Sequence, residues 1–307
     1  MKLNLSLLAL IVLAFAASLL AGRIWLPPAA LLSPHDSLAG MIIFDVRLPR
    51  TVLALIVGAV LGLSGAVLQG FTRNPLAEPA LLGVSSGAAL APVTGPLMGM
   101  VGAVAACVLT FALGRNGTVA LVLAGAAVSS LTAAGIALAL NFAPNPYAAY
   151  EIMTWLLGSL ADKSWTQVML VAPFAAIGCV LLAMTGRALD ALSLGEAQAQ
   201  SLGVSLTRLA ALVVAGTAFS VGAITSVSGA IGFIGLVAPH LVRPFVGYAP
   251  RRVLLPATLA GALLLLCADI AARLVHTNPE LRLGVFTSLL GTPFFFWLVV
   301  RIRKVAP

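Results

Sequence analysis

The chain has 307 residues, of which 61% are hydrophobic and only 8% charged, and it carries a net charge of +8. Soluble domains carry about 25% charged residues, so this composition excludes a water-facing globule and leaves a lipid-embedded one, for which 29 glycines suit close helix packing. The basic residues stand singly between apolar runs, which reads as membrane topology and excludes nucleic-acid binding.

A helical span needs about 20 apolar residues. The apolar runs predict an all-α, polytopic protein of about ten transmembrane helices, over 5–26, 51–70, 80–94, 97–114, 118–141, 166–186, 207–227, 236–247, 253–274 and 284–301. The first run follows Lys2 and has the look of a signal peptide, but it continues to Trp25-Leu26, long enough for an uncleaved span. The third and eighth runs are short and predict tilted or partial helices buried among the others. The outside segment 142–165 holds Pro144, Pro146, Trp155 and Trp165, and its tryptophans mark the membrane interface. The largest inside loop, about 187–206, carries Gly195 and Gly203 around a short helical piece, and predicts two small amphipathic helices joined by glycine. With the N-terminus in the cytoplasm, most arginines and lysines fall inside and most acids outside. That is the positive-inside pattern, so both termini are cytoplasmic.

The sequence also repeats. Gly58-Ala59-Val60 with Ser64-Gly65-Ala66-Val67 matches Gly222-Ala223-Ile224 with Ser228-Gly229-Ala230-Ile231, and the same offset aligns Pro75 with Pro239 and Gly83 with Gly247. Five spans per half is an odd number, so the halves enter the membrane from opposite sides. This predicts a single transmembrane domain over 1–307 built as a five-plus-five inverted repeat, with halves of about 1–150 and 160–307.

Candidate chemistry is sparse. No predicted span centre carries an acid, lysine or arginine, and Asp269 lies near the outer end of its helix. A carrier coupled to protons or sodium usually keeps ionisable groups at mid-membrane, which weakens that alternative. No GxxxxGK[ST] loop is present, so ATP energy has to come from a partner. Cys107, Cys179 and Cys267 have no metal spacing, and His35, His240 and His276 form no metal set. The expectation is therefore no catalytic residue, no metal site and no bound cofactor.

Longer motifs carry more. The stretch from Arg47-Leu48-Pro49-Arg50-Thr51 through Ser64–Gln69, Asn74-Pro75-Leu76-Ala77-Glu78-Pro79 and Leu82–Gly87 resembles the permeases of iron-siderophore, haem and vitamin B12 ABC importers. So do Gly229–Arg243, Ala268-Asp269-Ile270-Ala271-Ala272-Arg273 and Gly291-Thr292-Pro293-Phe294-Phe295, so that the resemblance covers about residues 40–301. Two departures are visible: Arg282 stands where the family commonly has proline, and Thr292 where alanine is usual.

The resemblance implies a bacterial inner-membrane permease that imports a ferric siderophore, or a related metal chelate such as cobalamin or haem, from periplasm to cytoplasm. It implies two permease copies around one pathway, two ABC ATPase subunits that carry ATP and magnesium, a periplasmic substrate-binding protein, and surrounding membrane lipid. By matched position, Arg47, Arg50 and Arg273 would dock the binding protein. Asn74 and Leu76 would close a cytoplasmic gate, with Thr118 the nearest candidate for its third element. The loop holding Leu189, Asp190, Leu194, Gly195, Glu196, Ala199, Leu202 and Gly203 would couple to the ATPase. The alternative is a gradient-driven secondary transporter with inverted repeats.

Overall fold

The computed structural model describes residues 2–22, 24–79, 83–88, 95–114, 118–275, 277 and 280–303. Among these all regular structure is helical: α1 (Lys2–Leu20), a 3-10 turn (Pro28–Leu32), α2 (Leu38–Met41), a π-helical turn (Ile42–Arg47), α3 (Leu48–Thr72), α4 (Val84–Ala88), α5 (Pro96–Leu113), α6 (Thr118–Asn141), α7 (Pro146–Leu156), α8 (Trp165–Ala183), α9 (Gly186–Leu192), α10 (Glu196–Ser201), α11 (Leu206–Ser228), α12 (Ile234–Val246), α13 (Pro250–Leu274) and α14 (Leu283–Arg303). Among the described residues seven helices are long and apolar enough to cross a bilayer, and α12 and the Leu283–Phe296 part of α14 are shorter apolar helices. Nine of the ten predicted runs therefore coincide with helices. The remaining run, 80–94, lies mainly outside the described residues.

Two boundaries differ from the sequence expectation. The first helix stops at Leu20 rather than near residue 26, because Arg47 and Arg273 take the carbonyls of its last turn and Pro27 and Pro28 follow. The second begins at Leu38, giving 35 continuous helical residues with a π turn before Pro49. At 1.5 Å per residue this is about 52 Å, well beyond a hydrocarbon core of about 30 Å, so its first turns project past the outer boundary.

The core is built on α3, which packs against α13, α12, α8 and α11. Glycine makes the closest of these contacts possible. Gly58 and Gly62 sit one turn apart on α3, and a Cβ at either would collide with the backbone of Gly261 or Ala257 on α13. In lipid there is no hydrophobic gain from burying one helix on another, so small residues that let backbones touch take over that role. By contrast α1 and α6 keep most of their apolar surface uncovered, with only 11% and 22% of their spans buried, as lipid-facing or partner-facing helices must.

The repeated Gly83 and Gly247 share a positive φ, of +72 and +84, but the Ser-Gly pair of the repeat takes two different backbone forms. Ser64-Gly65 lies inside α3, which runs on to Thr72, whereas α11 ends at Ser228-Gly229. Gly65 stays helical with its face covered by the Gly235 backbone at the start of α12, while Gly229 turns the chain at φ +71. The same residues thus serve once as a helix contact and once as a helix end.

Candidate functional site

At the outer end the structure gathers the three predicted arginines. They do not form a free charged rim: Arg47, Arg50 and Arg273 are buried, at 8%, 9% and 7% exposure, and every guanidinium has partners within the chain. Arg47 donates to the carbonyls of Leu19 (3.0 Å), Leu20 (2.7 Å) and Ile24 (2.6 Å), fastening the C-terminus of α1. Arg50 donates twice to Asp269 Oδ1, at 2.9 and 2.7 Å, and also to Glu280. Arg273 lies 2.8 Å from Asp269 Oδ2 as an ion pair and donates to the Ser18 carbonyl (2.9 Å) and hydroxyl. Ser18 and Thr51 share a hydroxyl contact at 2.8 Å. Asp269 is fully buried between the two arginines, the geometry in which removing one partner costs most. A cavity of about 260 Å³ opens here, lined by all three arginines and Glu280. Arg50 and Arg273 pair with the two carboxylates while Arg47 is held by carbonyls alone, so the site keeps one positive charge in excess. Between α7 and α8, burial lowers the Lys163 pKa; Asp162 opposes this and the cation of Arg282 reinforces it.

Midway, the chain breaks where α11 ends. Ser159 N–H donates to the Ser228 carbonyl at 2.7 Å, and Gly158 (φ +64) and Gly284 lie against the Ala230 carbonyl. These contacts form one wall of a cavity of about 620 Å³, lined by Leu156, Leu157, Ala230, Gly232, Gly284, Val285, Ser288, Leu289, Thr292 and Pro293. Among the described residues none that lines it is charged. Gly229 combines positive φ with a Cβ direction blocked by the Trp155 carbonyl. Its ψ of −169° places it in a region essentially reserved for glycine, costing other residues about 1–3 kcal/mol. Gly229→Val is therefore expected to lower thermal stability in detergent by at least about 2 kcal/mol, with Gly135→Val, which meets nothing within 4 Å, as the silent control.

Towards the cytoplasm, α3 ends in the left-handed Arg73, and Asn74 Oδ1 accepts the Leu76 N–H at 3.0 Å in a tight Asx turn. Asn74 and Leu76 thus sit together. Thr118 opens α6, and its side chain lies outside the described residues. The predicted coupling loop is α9 and α10, joined through Gly195 at φ +115. Leu189 and Ala199 are fully buried beneath it, while Leu194 and Leu202 are exposed at 63% and 64%. Asp190 accepts the Arg251 N–H at 2.9 Å and so ties α9 to the start of α13. Glu196 faces Arg73 at 3.4 Å, and Gly203, at φ +83, turns the chain into α11.

Several structural side chains carry roles that sequence reasoning did not assign. Pro239 lacks the N–H that would bond the Gly235 carbonyl four residues back. Gln69 Nε2 donates to that carbonyl and to Leu236, each at 3.3 Å, while its Oε1 accepts from Arg243 at 2.7 Å. A proline inside a predicted span was the available signal: it leaves a carbonyl that must find a donor in lipid. Glu78 and Phe233, quoted only as parts of motifs, meet at 2.8 Å. Glu280 had no signal, because its partner lies 230 positions away.

Residues 10–301 match the FecCD transport family. The vitamin B12 import system permease protein BtuC of Klebsiella pneumoniae is 39% identical over 98% of this chain and 93% of its own, and that of Salmonella typhimurium is 38% identical over 98% and 95%. A solved inward-facing conformation of a putative metal-chelate type ABC transporter superposes with a TM-score of 0.89 and 32% identity, covering 98% of this chain and 99% of the other. The aligned family, the polytopic helical fold and the charge-free cavity agree: this chain belongs to the FecCD transport family, as an inner-membrane ABC importer permease for metal-chelate or vitamin B12 type substrates whose ATPase is a separate subunit.

Proposed function

We propose that the cargo is a cobalamin, taken from a periplasmic binding protein and released to the cytoplasm. The observation that carries this is the similarity to vitamin B12 permeases along nearly the whole chain, which moves the leading cargo from the ferric siderophore expected from sequence to a corrinoid. The uncharged cavity beside α14 suits a bulky chelate held by many weak contacts rather than by a few strong ones. A second copy of the chain would double that wall, and the exposed apolar side chains of α6 and α14, such as Leu131, Leu138, Leu289 and Phe296, support such a homodimer. The two halves of the chain act as an inverted pair around the pathway in this reading.

Three further roles complete it. The excess positive charge at Arg47, Arg50 and Arg273 would receive an acidic group of the binding protein, with the outer cavity as its entry. Asn74 and Leu76, with Thr118, would form the inner gate. The exposed Leu194 and Leu202, on a platform fixed by Leu189, Asp190, Gly195, Glu196, Ala199 and Gly203, would enter a groove on the ATPase.

The test is reconstitution with the partner ATPase and binding protein, measuring uptake of cyanocobalamin, a ferric siderophore and haem side by side. Cyanocobalamin is expected to be the only one concentrated with ATP; uptake confined to the siderophore would overturn the cargo assignment. Leu194→Glu with Leu202→Glu is expected to reduce ATPase co-purification and uptake by at least about tenfold, the effect of losing about 1.4 kcal/mol of docking energy.

A further inference from the structure

The Asn74–Pro79 segment and the break between α11 and α12 are joined through one carboxylate. Glu78 Oε1 accepts the Phe233 N–H at 2.8 Å, and a Cβ on Gly232 would lie 3.4 Å from the same oxygen. Phe233 has φ +67, a conformation that a bulky residue seldom adopts without an external hold. It directly precedes α12, whose first N–H groups lack intrahelical acceptors, so a carboxylate there meets both a free donor and the positive end of a 13-residue helix. On the far side the Phe233 ring packs against Gly291 of α14. Pro79, next to Glu78, lies against Gly235, where an added Cβ would stand 3.0 Å from it. Ala230 and Gly232, one to three residues before Phe233, line the large cavity.

We propose that Glu78 is a positioning residue that ties the cytoplasmic Asn74–Pro79 segment to the cavity wall at Ala230–Phe233, so that movement of one carries the other. The inference rests on the importer assignment. What Glu78 contributes is an acceptor oxygen at a fixed place. Gln keeps that oxygen, Ala removes it, and Asp withdraws it by one methylene.

The experiment uses the complete importer in proteoliposomes, in a background lacking the three native cysteines, with Ala230→Cys as a reporter labelled by a small water-soluble maleimide. In the parent, labelling is expected to change several-fold between the nucleotide-free and ATP-trapped states. Glu78→Gln should keep that change and keep uptake within about threefold. Glu78→Ala and Glu78→Asp should lose the nucleotide response of the reporter thiol and lose at least about tenfold in uptake, while the complex still hydrolyses ATP. Should Glu78→Ala fail to assemble, Glu78→Asp carries the same readout. The proposal is overturned if the reporter thiol responds to nucleotide equally in the assembled Ala or Asp variant, or if Gln is as impaired as Ala. Uptake by the complex without the Ala230→Cys reporter reports separately on the importer assignment.

Discussion

Asp269→Asn is expected to destabilise the folded chain by about 3–5 kcal/mol, the cost of removing one partner from a buried ion pair. The carboxylate is fully buried and faces Arg50 on one oxygen and Arg273 on the other. Asparagine keeps the shape and removes the charge, leaving two buried guanidiniums with only the outlying Glu280 to balance them. Arg273 also holds the end of α1 through Ser18 and Ala21, so loosening should show first as protease sensitivity near residues 20–26. Glu280→Gln provides the contrast: its side chain is 27% exposed, and loss of that pair should cost about 1 kcal/mol or less. Thermal unfolding of the detergent-solubilised protein measures both. A loss below about 1 kcal/mol for Asp269→Asn, the range of an exposed pair, would contradict the network as described.

Gly62→Leu is expected to have an equally large effect by a different route. Its Cβ would stand inside the Ala257 carbonyl, and the facing atoms are backbone, so no rotamer change relieves the clash. The helices α3 and α13 would have to separate, and they form the principal packing interface of the core. A loss above about 4 kcal/mol, seen as absence of folded protein after extraction, follows from a clash that neither helix can absorb. Gly203→Leu is a useful comparison, since nothing lies within 4 Å of a Cβ there and only its φ of +83 opposes the change. Folded Gly62→Leu protein with wild-type unfolding temperature would refute the close crossing.

These two sites show what a single sequence reveals and what it withholds. Spans were legible because lipid demands long apolar runs, and α5, α6, α8, α11 and α13 begin and end within a few residues of the expected places. The amphipathic α7 was not, since Pro144 and Pro146 with Trp155 and Trp165 read as an outside segment at the membrane interface. The positions of Arg47, Arg50 and Arg273 at helix ends were legible; their partners were not, because Asp269 and Glu280 lie more than 200 residues from Arg50, at separations of 219 and 230. Periodicity contains no information about which distant carboxylate closes on which arginine. The loop of α9 and α10 was legible through Gly195 and Gly203, whose positive φ values glycine alone adopts freely. The repeat at Ser64-Gly65 and Ser228-Gly229 suggested equal structures, and tertiary context made them different: α12 covers the first, and Trp155 and Gly158 cap the second.

The secondary-carrier alternative and the importer differ most in where the energy enters. Proteoliposomes holding this chain, its ATPase and its binding protein should accumulate labelled cobalamin when ATP is present on the ATPase side, and an ATPase unable to hydrolyse should abolish that accumulation. Accumulation by this chain alone, driven by a sodium or proton gradient with no ATPase present, would contradict the account.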